Sequence, residues 1–90
     1  MTIRVIVSMD VDDYENWLAV FNSEGPMNAR SEAGLTVEAH QNLDDPKNVV
    51  AIGTAPSKEV FLEFFTSPQQ KERMQSAGVI SQPTVTFLKT

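Results

Sequence analysis

Ninety residues suffice for one domain with one core, because a chain of this size buries only roughly 65% of its unfolded surface. Residues 1–90 are therefore expected to form a single domain. Hydrophobic residues at 41% and charged residues at 21% exclude the disordered regime, and the lack of cysteine excludes disulfides, thiolate zinc, iron–sulfur clusters and cysteine nucleophiles. Seven basic against twelve acidic side chains give a net charge of -5, the wrong sign for phosphate backbones or anionic lipid, so neither nucleic acid nor membrane is an expected partner.

The chain opens MTIRVIVSMDVDD, with no basic, apolar and cleavage regions of a signal peptide, and no later run reaches membrane-spanning length. A cytoplasmic location is expected. Ile3, Val5, Val7 and Met9 alternate with Thr2, Arg4 and Ser8, the period of a strand with one buried face. Asp12 offers an N-cap with Glu15 three residues on, and Tyr14, Trp17, Leu18 and Phe21 then form one helical stripe. Gly25-Pro26 predicts a kink or short break, after which helix resumes and stops at Gly34, a natural C′ residue.

Leu35 to Asn42 reads as a second strand, with Leu35, Val37 and Ala39 on one face and Thr36, Glu38 and His40 on the other. The turn formers Asp44-Asp45-Pro46-Lys47-Asn48 join it to VVAIG, a run apolar on both faces and so a central strand, in an antiparallel hairpin. Ser57 can cap a helix striped by Val60, Phe61, Phe64 and Phe65, and Ser67-Pro68-Gln69-Gln70 restarts it. Gly78 as C′ puts Val79 and Met74 in the places that touch in a Schellman motif, and Pro83 opens a last strand, Thr84 to Leu88. No repeat, low-complexity tract or linker is visible.

The order β-α-β-β-α-β is that of an α+β ferredoxin-like plait, a four-stranded antiparallel sheet with both helices on one face. Its other face, with Arg4, Ile6, Ser8, Thr36, Glu38, His40 and either Thr84 or Val85, meets water or a second subunit. An RNA-binding use would need aromatics on the third strand, which reads NVVAIGTA. A metal-carrying use would need a cysteine pair. Burial against a second copy, sheet on sheet, remains.

The segments DYENWLAVFN, AGLTVEAHQNLDDPKNVVAIGTAPS and FFTSPQQKERMQSAGVISQPTVTFL resemble small bacterial proteins of the dimeric α+β barrel superfamily, in its cyclase-like and antibiotic-monooxygenase-like branch. The resemblance covers nearly the whole chain, and the departure is Ser23-Glu24-Gly25-Pro26, where relatives typically carry an uninterrupted helix, often with a histidine. It implies a homodimer joined through its sheets, with a small-molecule cleft between sheet and helices in each subunit. Haem use exists in that superfamily, but the lone histidine lies on a strand, so no cofactor is expected.

The candidate catalytic residues are His40, which titrates near neutrality, with Glu38 beside it by period two and Arg4 on the same face. A solvated histidine on an edge strand is the commoner arrangement. Tyr14, Trp17 and Phe21 are candidate ligand-binding residues, an aromatic wall for a planar molecule, and their spacing equally makes them core. Arg30, with Arg4, could hold a carboxylate bidentately, or be an ordinary exposed helix charge. Asp10, Asp12, Asp13 and Glu15 lack the spacing and glycine of a calcium loop, so no metal site is expected and helix capping is the better account.

Two functions stay open. One is a cofactor-free monooxygenase, cyclase or isomerase acting on an aromatic or polyketide-like molecule, with Trp17 shaping the pocket and His40 or Arg4 handling protons. The other is a non-catalytic dimer that binds a metabolite or serves stress or regulatory interactions.

Overall fold

Strict alternation sets the first strand: in β1 (Ile3–Asp10) Val5, Val7 and Met9 are buried while Arg4, Ile6, Ser8 and Asp10 stand on the opposite face. The computed structural model describes residues 2–89. Chain order continues with α1 (Tyr14–Phe21), α2 (Glu24–Glu32), β2 (Thr36–Gln41), β3 (Asn48–Ala55), α3 (Lys58–Phe65), α4 (Pro68–Ser76) and β4 (Thr84–Leu88). Among the described residues the strands make one antiparallel sheet of order β2-β3-β1-β4. This is the ferredoxin-like plait, with each of its two helical layers split in two.

Register sorts every side chain to a face. Ile6 pairs with Ile52 and Thr86, and Ser8 with Val50 and Thr84, so Thr84 rather than Val85 joins the open face. The inner rows bring Val5, Val7, Met9, Val49, Ala51 and Ala55 against Trp17, Phe61 and Ala77, with Val37, Val85 and Phe87 at the margins. Burial of these side chains, at about 25 cal/mol per Å² of apolar surface, is the main force holding helices to sheet.

Two local expectations shift. The N-cap of α1 is Asp13, whose carboxylate accepts from the Asn16 N–H at 3.2 Å, while the Asp12 N–H donates to the Gly78 carbonyl at 2.9 Å. The break in the first helical layer falls at Asn22-Ser23, not Gly25-Pro26. Gly25 and Pro26 sit inside the first turn of α2, where a proline's missing N–H would have had no intrahelical partner anyway.

Both helical layers end alike. The Leu35 and Val79 N–H groups donate to the carbonyls of Arg30 and Met74, and those of Gly34 and Gly78 to Ser31 and Gln75, two Schellman motifs. Each places its glycine at positive φ, 75° for Gly34 and 83° for Gly78. At Gly78 a side chain would also run into the Asp12 carboxylate.

Candidate functional site

The inner face of the sheet and the helices do not close completely on each other. α1 begins sharply at its Asp13 cap, which turns one edge of the helix inward and stacks Tyr14, Trp17 and Phe21 along it, with ring centroids 6.1 Å and 4.9 Å apart. α3, capped by Ser57 Oγ accepting from the Val60 N–H, aligns Phe61 and Phe65 at 5.2 Å, and Phe61 meets Phe87 edge-on at 5.6 Å. Between these two aromatic stacks and the sheet lies a cleft holding a void of about 80 Å³. Trp17, Phe21, Phe61, Phe64 and Phe65 form its walls over a floor of Val7, Val37 and Ala51.

Its polar edge comes from the short outer helices. Arg30 and Gln70 with Arg73 line the cleft from α2 and α4. The Arg30 guanidinium lies 3.8 Å from the Phe21 ring centroid and donates through Nη2 to the Phe21 carbonyl at 2.8 Å. Arg73 donates from Nη1 to Gln70 Oε1 at 3.1 Å. Burial, and secondarily the charge of Arg73, hold the Arg30 guanidinium below its ordinary range. Neither guanidinium forms an ion pair among the described residues, and no carboxylate lines the cleft.

The sequence candidates divide between the two faces of the sheet. Trp17, Phe21 and Arg30 line the cleft, and Tyr14 supports it from behind Trp17. Arg4, Glu38 and His40 do not: they project from the open face, where His40 Nε2 lies 3.8 Å from Glu38 Oε2 with both side chains well exposed. The reason is the period of two, since cleft-facing Val37 fixes Glu38 and His40 on the far side of β2. The pairing of Arg30 with Arg4 is corrected on the same ground, because Arg73, not Arg4, shares the cleft with Arg30.

Arg73 was missed by sequence reading. Its only signal is helical spacing, for Gln70, Arg73, Met74 and Ala77 recur at i, i+3, i+4 and i+7, but that stripe is half polar and does not read as a buried face. The acidic residues have local duties: Asp13 caps α1, and Asp10 Oδ1 accepts from Asn48 Nδ2 at 3.1 Å. Among the described residues no group of three or more metal-ligating side chains comes together. No helix there is long and apolar enough to cross a membrane.

No family model matches the chain, and no curated protein does. Solved structures do share its fold. A candidate antibiotic biosynthesis monooxygenase from Bordetella bronchiseptica superposes with a TM-score of 0.72 at 16% identity, covering 99% of this chain and 96% of that one. A monooxygenase from the gene ActVA-Orf6 of Streptomyces coelicolor, in complex with the ligand nanaomycin D, gives 0.70 at 16% identity over 98% and 86%. The protein Rv0793 from Mycobacterium tuberculosis gives 0.67 at 16% over 100% and 95%. Two of these three are described as monooxygenases, and the fold of this chain is the one all three share, an α+β plait of ferredoxin-like type.

Proposed function

We propose that this chain is a cytoplasmic homodimer that binds a small aromatic or polyketide-like metabolite in the cleft between sheet and helices. The observation that carries the reading is the aromatic-walled void itself. The cleft, with its void of about 80 Å³, opens to solvent and so leaves aromatic surface that a flat apolar ligand would cover, a favourable burial. The Streptomyces coelicolor monooxygenase, ligand-bound on the same fold, supports it by analogy.

The void is smaller than the roughly 300 Å³ or more of ordinary ligand sites, so binding requires the cleft to widen. α2 and α4 are the elements suited to move. Neither has a buried residue, and each is joined to its neighbour through a two-residue break, Asn22-Ser23 or Thr66-Ser67. The dimer rests on the open face, where Ile6, Val50 and Ile52 form an apolar centre edged by threonines and by the polar Arg4, Glu38 and His40. An apolar centre with a polar rim is the composition of a subunit interface.

Native mass spectrometry of the protein as purified tests both parts together. The expected spectrum shows a species of twice the 10.0 kDa subunit mass, with retained ligand. A subunit-mass species alone at micromolar concentration would refute the dimer.

The second reading, a cofactor-independent monooxygenase, cyclase or isomerase using the same cleft, is favoured by the descriptions of the structural neighbours. Against it, the titratable side chains lining the cleft are the two arginines, which stay protonated and make poor proton acceptors. Oxygen uptake or product formation with a bound aromatic ligand would establish this second reading over binding alone.

A further inference from the structure

In a protein with twelve acidic side chains, the cleft is lined by two cations and no carboxylate, a charge distribution complementary to an anion. Arg30 is held in place from two sides, by its stack on Phe21 and by its bond to the Phe21 carbonyl. Those contacts use one nitrogen and one face, and leave other N–H donors of the fork available. Arg73 is held by Gln70 on the opposite helical layer. Both guanidiniums are half-buried, and two like charges lining one apolar space repel each other unless an anion faces them.

We infer that the ligand of this cleft is a planar aromatic acid, its carboxylate or similarly acidic enol oxygen gripped between Arg30 and Arg73 while its ring lies against Trp17 and Phe21. The inference rests on the cleft being the ligand site and adds the ligand's charge. Guanidinium forks match a carboxylate in geometry and gain most in a water-poor site. Apart from Gln70, the rest of the lining is apolar, which suits one acidic group on a flat apolar body rather than a highly charged molecule. Burial first, and the charge of Arg73 second, lower the affinity of Arg30 for its proton, and a bound anion would oppose that shift.

The test uses 2-naphthoate and 2-naphthamide, nearly identical in shape and different in charge. Binding is measured by calorimetry and by the indole N–H NMR signal of Trp17, the chain's only tryptophan and a wall of the cleft. The wild type is expected to prefer the acid by about tenfold or more, the scale of a charge-assisted hydrogen bond. That preference should vanish in Arg30→Met and in Arg73→Met, and survive in part in Arg73→Lys. Should Arg30→Met not fold, Arg73→Met decides, since the Arg73 side chain bonds to Gln70 Oε1 and to no backbone group among the described residues. Equal affinity for the two probes in the wild type, or an acid preference untouched by Arg73→Met, would overturn the inference and leave the cleft as a neutral-ligand site. Failure of both probes to move the Trp17 signal at millimolar concentration would instead refute the cleft as an aromatic-ligand site.

Discussion

The α1–α2 and α3–α4 halves match at a spacing of 44 residues: N-caps Asp13 and Ser57, buried rings Trp17 and Phe61, stacked partners Phe21 and Phe65, second N-caps Ser23 and Ser67, and C′ glycines Gly34 and Gly78. They then diverge in detail. Both hydroxyls donate backward, Ser67 Oγ to the Phe64 carbonyl and Ser23 Oγ to the Val20 carbonyl, but only Ser67 Oγ also accepts, from the Gln70 N–H, and only α4 has a proline presetting its first position. The arginines also fall out of step, at 30 and 73. A common scaffold has thus been finished as a firmer half, α3–α4, and a more loosely tied half that carries Trp17, Phe21 and Arg30.

The sharpest way to break this comparison is at the paired rings. Trp17→Ala and Phe61→Ala should each cost about 3–5 kcal/mol in urea denaturation. A much smaller loss for Trp17 would mean that it serves chiefly as a ligand wall and little as core.

The glycines come next. Gly78→Ala should cost about 2 kcal/mol and Gly34→Ala about 1 kcal/mol, because both are forced to positive φ but only Gly78 is crowded by a carboxylate. Removing that carboxylate with Asp12→Ala in the Gly78→Ala background should recover part of the difference. Equal costs in thermal melts would show that backbone strain alone decides both.

Smaller again, Ser67→Ala should cost about 1 kcal/mol and Ser23→Ala within about 0.5 kcal/mol. Hydrogen exchange in α2 should already be faster than in α4. Reversed costs would contradict the looser assignment of the first half.

The smallest expected effect is at Arg30. Its lowered proton affinity means that the folded state holds the charged form less well than the unfolded chain does, a cost present at every pH where arginine remains protonated. Arg30→Met relieves that cost but loses the Phe21 carbonyl bond and the ring stack, so stability should change by within about 0.5 kcal/mol. The change should not vary across neutral pH. A loss of several kcal/mol would make Arg30 a structural residue.

Much of the fold was legible in the chain because it is written in local signals. Val5, Val7 and Met9 alternate, Ser57 and Ser67 precede helices, and Gly34 and Gly78 end them, each through contacts within a few residues. The kinship of the two halves was not legible, since it joins residues by role rather than identity, aspartate with serine and tryptophan with phenylalanine. The choice between Asp12 and Asp13 as cap was also hidden. It depends on Gly78, which binds the Asp12 N–H from across the molecule.

By itself the sequence determined the strands, the helix boundaries at Ser57, Ser67, Gly34 and Gly78, the central place of VVAIG and the aromatic stripes, since all follow from periodicity and turn chemistry along a short stretch. Only the tertiary structure decided which candidates share a space. Trp17, Phe21 and Arg30 gather with Arg73 in one cleft, while Arg4, Glu38 and His40 stand on the other side of a sheet. Such a meeting depends on register and on the packing of helices from opposite halves, which brings together positions more than forty residues apart in the chain.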